Sequence, residues 1–289
     1  MQGHRIARQR LRNHRLAGRP FASPEEALRW LGASQAQEYG IAKWSLAQRA
    51  SRQDDAAIEH ALADGRILRT HVLRPTWHFV LPEDIRWMQA LTGPRVQRMN
   101  ASIYRRLELD DAVLEDRAPQ ARRPERDEAL AELARRYFRS RGPATLKDFR
   151  WWWSLTAAEA ERGLELLRSE LEEMEADGRT YWFVPPLPAA RPPAPRAHLL
   201  QLFDEYVVSY AETRDVLGVP NVLAALGPTL THPIIVDGRI AGEWRPRADG
   251  NAQRVEARIW PGPDAAERAA VEDAVRRYER FAGAARGQA

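Results

Sequence analysis

The local signals in this chain repeat. Helical segments followed by a short two-stranded ribbon occur once before residue 81 and again between residues 127 and 184, and that repetition leaves few folds open. In the first stretch, residues 5–18 set Ile6, Leu11 and Leu16 among arginines, an amphipathic helix ended by Gly18-Arg19-Pro20. Ser23-Pro24-Glu25-Glu26 then provide an N-cap, a first-turn proline and early acids for a helix carrying Ala27, Leu28, Trp30 and Leu31. Ile41, Trp44 and Leu46 fall at helical spacing, and Ala56 to Ala63 form a further helix. The strand signal Ile67 to Leu73 breaks at Arg74-Pro75 and resumes from Thr76 to Val80, which predicts a two-stranded ribbon.

The second stretch follows the same order. Asp127 to Arg139 carries Leu130, Leu133, Ala134, Tyr137 and Phe138 on one face and ends near Gly142-Pro143. Leu146 to Trp153 gives a second short helix, and Thr156-Ala157-Ala158-Glu159 is a capping box that opens a third. Asp177-Gly178 is a hairpin turn leading into the strand Thr180 to Val184. Helices followed by such a ribbon are the winged helix-turn-helix pattern. A stiff proline-rich linker follows, and beyond it come a strand or helix start in 198–210, strands at 233–236, 239–244 and 255–260, a turn at Asp237-Gly238 and a helix over 265–281. The expected fold class is therefore α+β, mainly α: tandem winged helix-turn-helix domains followed by a small β-rich, barrel-like C-terminal domain. The expected boundaries are an N-terminal unit over 1–118, a second unit over 119–184, a linker over 185–196 and a C-terminal α+β domain over 197–289.

Composition narrows the chemistry. The 289 residues suffice for one sizeable core or for two or three small domains. No apolar run approaches the roughly 20 residues needed to cross a bilayer, and the basic N-terminus lacks the apolar centre of a secretory signal. No membrane partner is expected, and the location is expected to be cytoplasmic and nucleoid-associated. The absence of cysteine excludes disulfides, thiolate nucleophiles, iron–sulfur clusters and cysteine-ligated zinc; no cofactor and no metal are expected. The net charge of +4 permits an anionic partner, and six arginines from Arg5 to Arg19 precede the first acid, Glu25. Such an arm suits phosphate contacts, or it is a solvated helix end.

Gln35 and Gln37 stand two apart at a helix boundary, flanked by Ser34 and Tyr39. In a regular helix their side chains would diverge by about 200°; extended backbone would put both on one side. Taken alone, the pair equally fits ordinary capping or surface glutamines. The run LGASQAQEYGIAKWSL, with ILRTHVLRPTWHFVLPEDIRWM, resembles the N-terminal part of the AlkZ and YcaQ family of DNA glycosylases. GPATLKDFRWWWSL, DGRTYW, FDEYVVSY and IIVDGRIAGEW extend the resemblance over nearly the whole chain. It implies a catalytic pair at Gln35 and Gln37 and a monofunctional glycosylase. The implied reaction hydrolyses the N-glycosidic bond of N7-alkylated purines, or of bulky or crosslinked lesions, with a glutamine-positioned water. The implied partner is double-stranded DNA, alkylated in the substrate, engaged by a monomer. One departure stands out: the joint 107–126 leaves no room for a further internal winged helix that family members carry.

The chemistry suits a neutral side chain. An N7-alkylated guanine is already cationic and leaves readily, so what remains is to place a water and to stabilise an oxocarbenium-like sugar; an amide orients water but does not deprotonate it well. Glu38 is a nearby base candidate, or an early-helix acid facing the dipole. Arg69, His71, Arg74, Thr76 and His78 lie on the ribbon and are the candidate DNA contacts, although His78 also fits a core histidine beside Trp77. Trp151-Trp152-Trp153 read either as a base-stacking platform or as core, and Asp204-Glu205-Tyr206 read as structural. The alternative function is a non-enzymatic winged-helix DNA-binding protein or regulator.

Overall fold

Capping chemistry sets the helix starts. The computed structural model describes residues 2–51, 54–106, 124–186, 196–219, 225–226, 231–249 and 252–284. After α1 (Gln2–Asn13), the Ser23 hydroxyl accepts the Glu26 N–H at 3.2 Å and opens α2 (Pro24–Leu31). α3 (Tyr39–Ala47) follows, and Asp54 caps α4 (Asp55–Ala63) by accepting the Ala57 N–H at 2.8 Å. α5 (Pro82–Arg106) starts on proline with Glu83 and Asp84 in its first turn. The sequence reading assigned no helix there. Interior proline removes a backbone donor and usually breaks a helix, yet α5 runs through Pro94, with Met88 and Leu91 buried in the turns before it. α6 (Arg126–Arg141), α7 (Leu146–Trp153) and α8 (Ala157–Leu166) come next, and capping boxes at Thr145/Asp148 and Thr156/Glu159 open the last two.

Among the described residues the strands form three antiparallel sheets. β1 (Ser34–Gln35), β2 (Leu68–His71) and β3 (Trp77–Val80) lie in the order β1-β3-β2. β4 (Glu172–Ala176) and β5 (Arg179–Phe183) make a hairpin whose two turn residues, Asp177 and Gly178, both have left-handed φ, 50° and 71°, the conformation that matches strand twist. β6 (Ala197–Leu199), β7 (His232–Val236), β8 (Arg239–Asp249) and β9 (Ala252–Ile259) pair in sequence order, and a helical turn α9 (Glu205–Val208) follows β6. α10 (Ala265–Ala284) packs Val271, Ala274, Tyr278 and Phe281 against Ile234 and Trp244 of that sheet and against Trp44 of α3. The molecule is thus a mixed helix-and-strand protein, richer in helix. Among the described residues no helix is long and apolar enough to cross a membrane.

The apolar cores join segments far apart in sequence. Val80 and Met88 share one with Leu133, Tyr137, Trp152, Trp153 and Tyr210. Leu11 and Leu16 of the N-terminal segment share another with Leu200, Tyr206 and Ile235. α1 meets the β7–β8 turn so closely that a Cβ on Gly238, whose φ is +91°, would stand 2.8 Å from the Ala7 Cβ; only glycine serves there. The arginines of this first helix serve neither of their expected roles uniformly. Arg10 is fully buried, donating to the Pro143 and Thr213 carbonyls at 2.9 and 3.3 Å and to the Thr213 hydroxyl at 2.7 Å, while Arg8 pairs with Asp237 at 2.7 Å. Residues 107–123 of the joint and 187–195 of the proline-rich stretch lie outside the described residues.

Candidate functional site

Gln35 lies on the extended strand β1, and Gln37 follows two residues on, in the bend that leads into α3. β1 pairs with β3 so that Ser34 is opposite Phe79 and Gln35 opposite His78, and the Ala36 N–H extends the ladder to the Trp77 carbonyl at 2.7 Å. Ala36 enters the apolar cluster around Phe79, and strand alternation turns Gln35 to the other side, the face of His78. The environments of the two glutamines differ. Gln35 is 5% exposed and its Oε1 accepts from Arg74 Nη2 at 3.3 Å, whereas Gln37 is exposed and its Oε1 accepts the Trp77 N–H at 3.3 Å.

Side chains from remote elements grip the backbone of this strand. Arg141 of α6 donates to the Leu31 and Ala33 carbonyls at 2.7 and 3.3 Å. Glu205 of α9 accepts the Gln35 N–H at 2.8 Å, Gln201 donates to the Gln35 carbonyl at 3.0 Å, and Arg69 of β2 donates to the Ala36 carbonyl at 3.0 and 3.1 Å. A buried edge strand of two residues cannot satisfy its backbone through a sheet ladder alone, and these contacts complete the pairing. The other carboxylate oxygen of Glu205 accepts from Arg141 Nη2 at 2.8 Å, Trp152 Nε1 at 2.5 Å and the Ser209 hydroxyl at 2.9 Å. Burial pushes the Glu205 carboxyl up, but the Arg141 guanidinium, with Arg74 adding to it, more than offsets this, so the net shift is downward and the group is ionised.

Beside Gln35, buried polar atoms without a partner among the described residues include Arg74 Nε, Thr76 Oγ1, His78 Nε2 and Gln201 Oε1. His78 is fully buried and its Nδ1 faces the Thr76 carbonyl at 2.9 Å, which fixes the proton on Nδ1 and leaves Nε2 a bare acceptor. Burial, reinforced by Arg74, pushes its pKa down to about 4, so the ring is neutral. Cross-strand register places Gln35, His78 and Thr70 in one row.

The ribbon therefore has two faces, and the five candidate contact residues divide between them. Thr76 and His78 share the face of Gln35, with Arg74 reaching Gln35 from the β2–β3 connection. Arg69 and His71 lie on the opposite face with Trp77: the Arg69 guanidinium stands 4.5 Å from the Trp77 ring and 5.3 Å from that of Tyr39, and His71 meets Trp77 edge-on at 4.2 Å. Among the described residues the exposed large apolar side chains are Tyr39, Trp77 and Trp151. All three adjoin ribbon arginines, since Arg74 lies 6.0 Å from the Trp151 ring, with Arg214 at 5.2 Å. The tryptophan triplet thus splits: Trp152 and Trp153 are core, and Trp151 is 45% exposed.

Glu38 stands at the N-cap of α3 without making a capping hydrogen bond. Burial raises its pKa, and His232 Nε2 lies 3.7 Å from its carboxylate. Among the described residues no group of three or more His, Asp or Glu side chains is set to hold a metal ion. Glu205, Gln201 and Arg141 escaped the sequence reading as supports of the glutamine strand. The one available signal was the pair of acids Asp204-Glu205 set between Phe203 and Tyr206-Val207-Val208, charge inside an apolar run.

A model of the family described as DNA glycosylase AlkZ-like matches residues 28–123 and 105–281. An interstrand DNA cross-link repair glycosylase of Streptomyces sahachiroi is 28% identical over 130 residues, 42% of this chain; the match spans 35% of that relative, about a third of its length. The solved structure of Streptomyces sahachiroi DNA glycosylase AlkZ has the same fold, with a TM-score of 0.76 over 97% of this chain and 96% of that one at 20% identity. With the family model spanning most of its length, the chain belongs to the AlkZ-like DNA glycosylase family.

Proposed function

We propose that this protein is a monofunctional DNA glycosylase that hydrolyses the N-glycosidic bond of N7-alkylated purines, including bulky or crosslinked lesions, with Gln35 and Gln37 positioning the water. The observation that carries this reading is the extended glutamine strand, held by Arg141, Glu205 and Gln201 and bordered on both sides by exposed aromatic–arginine pairs. Arginines beside exposed aromatic rings suit nucleic acid, because guanidinium groups take phosphates and the rings stack on bases that have left the duplex. The cationic base departs with little acid assistance. The exposed Gln37 carbonyl orients the water beneath C1′, and its amide N–H groups contact neighbouring sugar or phosphate oxygens. Glu38, whose pKa burial raises, is the adjacent group able to take the water's proton. α2–α4 with β2–β3, and α6–α8 with β4–β5, are the two winged helix-turn-helix units that hold duplex DNA, and the protein acts as a monomer.

The deciding experiment is release of alkylbase from methylated or mustard-treated DNA. Wild type releases it and Gln37→Ala does not; folded wild type that releases nothing from any alkylated substrate refutes the reading. A second reading, DNA binding without catalysis, draws on the burial of Gln35 and the hold of Arg74 on its amide oxygen. It requires duplex affinity that changes with salt and is untouched by Gln35→Ala or Gln37→Ala.

A further inference from the structure

A cleft of about 780 Å³ opens where the connection from α1 to α2 meets α3, β6 and α10. Trp44 and Phe281 give it an apolar floor, and Arg15, Arg196, Arg277 and Arg280 line it. Arg277 is committed: its guanidinium pairs with Asp273 and donates to the Ala197 carbonyl at 2.8 Å. Arg15, Arg196 and Arg280 have no carboxylate partner within ion-pair distance among the described residues. Of the acids of the cleft, Asp54 caps α4 and Asp273 pairs with Arg277 inside the cleft and with Arg276.

Such a gathering of cations is unfavourable by itself. Burial lowers the pKa of Arg277; Asp273 opposes this, and Arg280 and Arg196 add to the lowering. His198, 6% exposed, lies in the lining with its Nε2 unpartnered, and burial together with Arg277, Arg49 and Arg196 holds it neutral, with a pKa of about 3. Unpaired guanidinium groups around a concave, partly apolar surface focus positive potential, and their planar forks match phosphoryl oxygens. The apolar floor distinguishes the cleft from a site for a bare anion.

We propose that this cleft is a second nucleotide-binding site, in which Arg196 and Arg280 grip the phosphate, Arg15 reinforces them and the Trp44–Phe281 floor carries the attached sugar or base. Two sources offer this chemistry, a free mononucleotide and a nucleotide unit of a bound DNA strand. The strand source rests on the glycosylase reading; the phosphate site does not. Geometry favours the strand, because α3 begins two residues after Gln37 and its far end lines the cleft. At about 1.5 Å per residue the helix spans roughly 12 Å, three or four steps of a DNA strand at about 3.4 Å each.

The test uses the full chain and the double variant Arg196→Ala/Arg280→Ala, whose side chains are exposed and without a carboxylate partner among the described residues, with folding checked by circular dichroism. Binding of adenosine 5′-monophosphate, competed by inorganic phosphate, is measured beside binding of an unmodified duplex across a salt series. Wild type binds the nucleotide and the double variant binds at least tenfold more weakly. If the strand is the source, the duplex also binds more weakly and the slope of log affinity against log salt falls by about 1–2. If the free nucleotide is the source, duplex binding is unchanged. Equal nucleotide binding by the two proteins, or none by wild type, overturns the proposal whatever the duplex does. Failure of wild type to release alkylbase while the nucleotide result holds removes the glycosylase reading and leaves the cleft.

Discussion

Glu205→Gln isolates what the buried carboxylate does for the glutamine strand. Glu205 is fully buried and accepts four donors: the Gln35 N–H at one oxygen, and Arg141, Trp152 and Ser209 at the other. An amide has one oxygen. Its least costly orientation keeps that oxygen toward the three clustered donors and turns its NH2 against the Gln35 N–H, so the damage falls on β1. Arg141 meanwhile loses its counter-charge inside the protein, and removing one partner of a buried pair costs about 3–5 kcal/mol. Some of that is recovered because the oxygen still accepts from Arg141, which leaves about 3 kcal/mol, a large share of the roughly 5–15 kcal/mol that holds a domain folded. Urea unfolding reads the stability and single-turnover release of alkylbase reads the chemistry. We expect a stability loss near 3 kcal/mol and, at temperatures where the variant is fully folded, a release rate lowered about 100-fold by misplacement of Gln35. A variant within about 0.5 kcal/mol of wild type that releases base at the wild-type rate would show that the carboxylate neither anchors Arg141 nor positions the strand.

Further perturbations test the remaining parts. Trp77→Ala and Trp151→Ala remove exposed side chains, so stability should hold while affinity for DNA with unstacked bases falls about tenfold, the usual worth of one base–aromatic stack; unchanged binding by fluorescence anisotropy would count against the aromatic border. Gly238→Ala meets Ala7 at 2.8 Å and a φ of +91°, and is expected to lower stability by about 2 kcal/mol in urea melts; a neutral result would mean that α1 gives way. His78 and His198 have folded pKa values of about 4 and 3, below the roughly 6.5 of an unfolded histidine. The unfolded chain therefore takes up protons first, and stability is full above about pH 6.5 and declines as pH falls toward 4, by about 3 kcal/mol from His78 alone. A stability profile flat from pH 7 to 4.5 would contradict their burial as neutral rings. Glu38→Gln should lower base release without changing duplex affinity if Glu38 takes the proton of the water, and an unaltered rate and pH profile would remove it from the chemistry.

What the sequence determined by itself is what short-range physics controls. Ser23, Asp54 and Thr156 start helices because a side-chain oxygen finds an orphan N–H three residues on, and Asp177-Gly178 and Asp237-Gly238 turn hairpins because they tolerate left-handed φ. Gln35 lies on the extended strand β1, which ends there, and Gln37 falls in the bend before α3. Only the tertiary structure decided the rest. β1 has two residues and no periodicity to betray it, and it exists because β3 pairs with it and Glu205 and Gln201, more than 100 residues away in the chain, complete its hydrogen bonding, while Arg141 holds the Ala33 carbonyl just before it. Arg10, Arg49 and Arg141 look like surface charges in a sequence, yet they are buried, because each meets a carboxylate or carbonyl from a distant segment. A local pattern fixes what a residue does to its own backbone; whether its charge is spent on water, on a fold or on DNA depends on partners that only chain closure brings near.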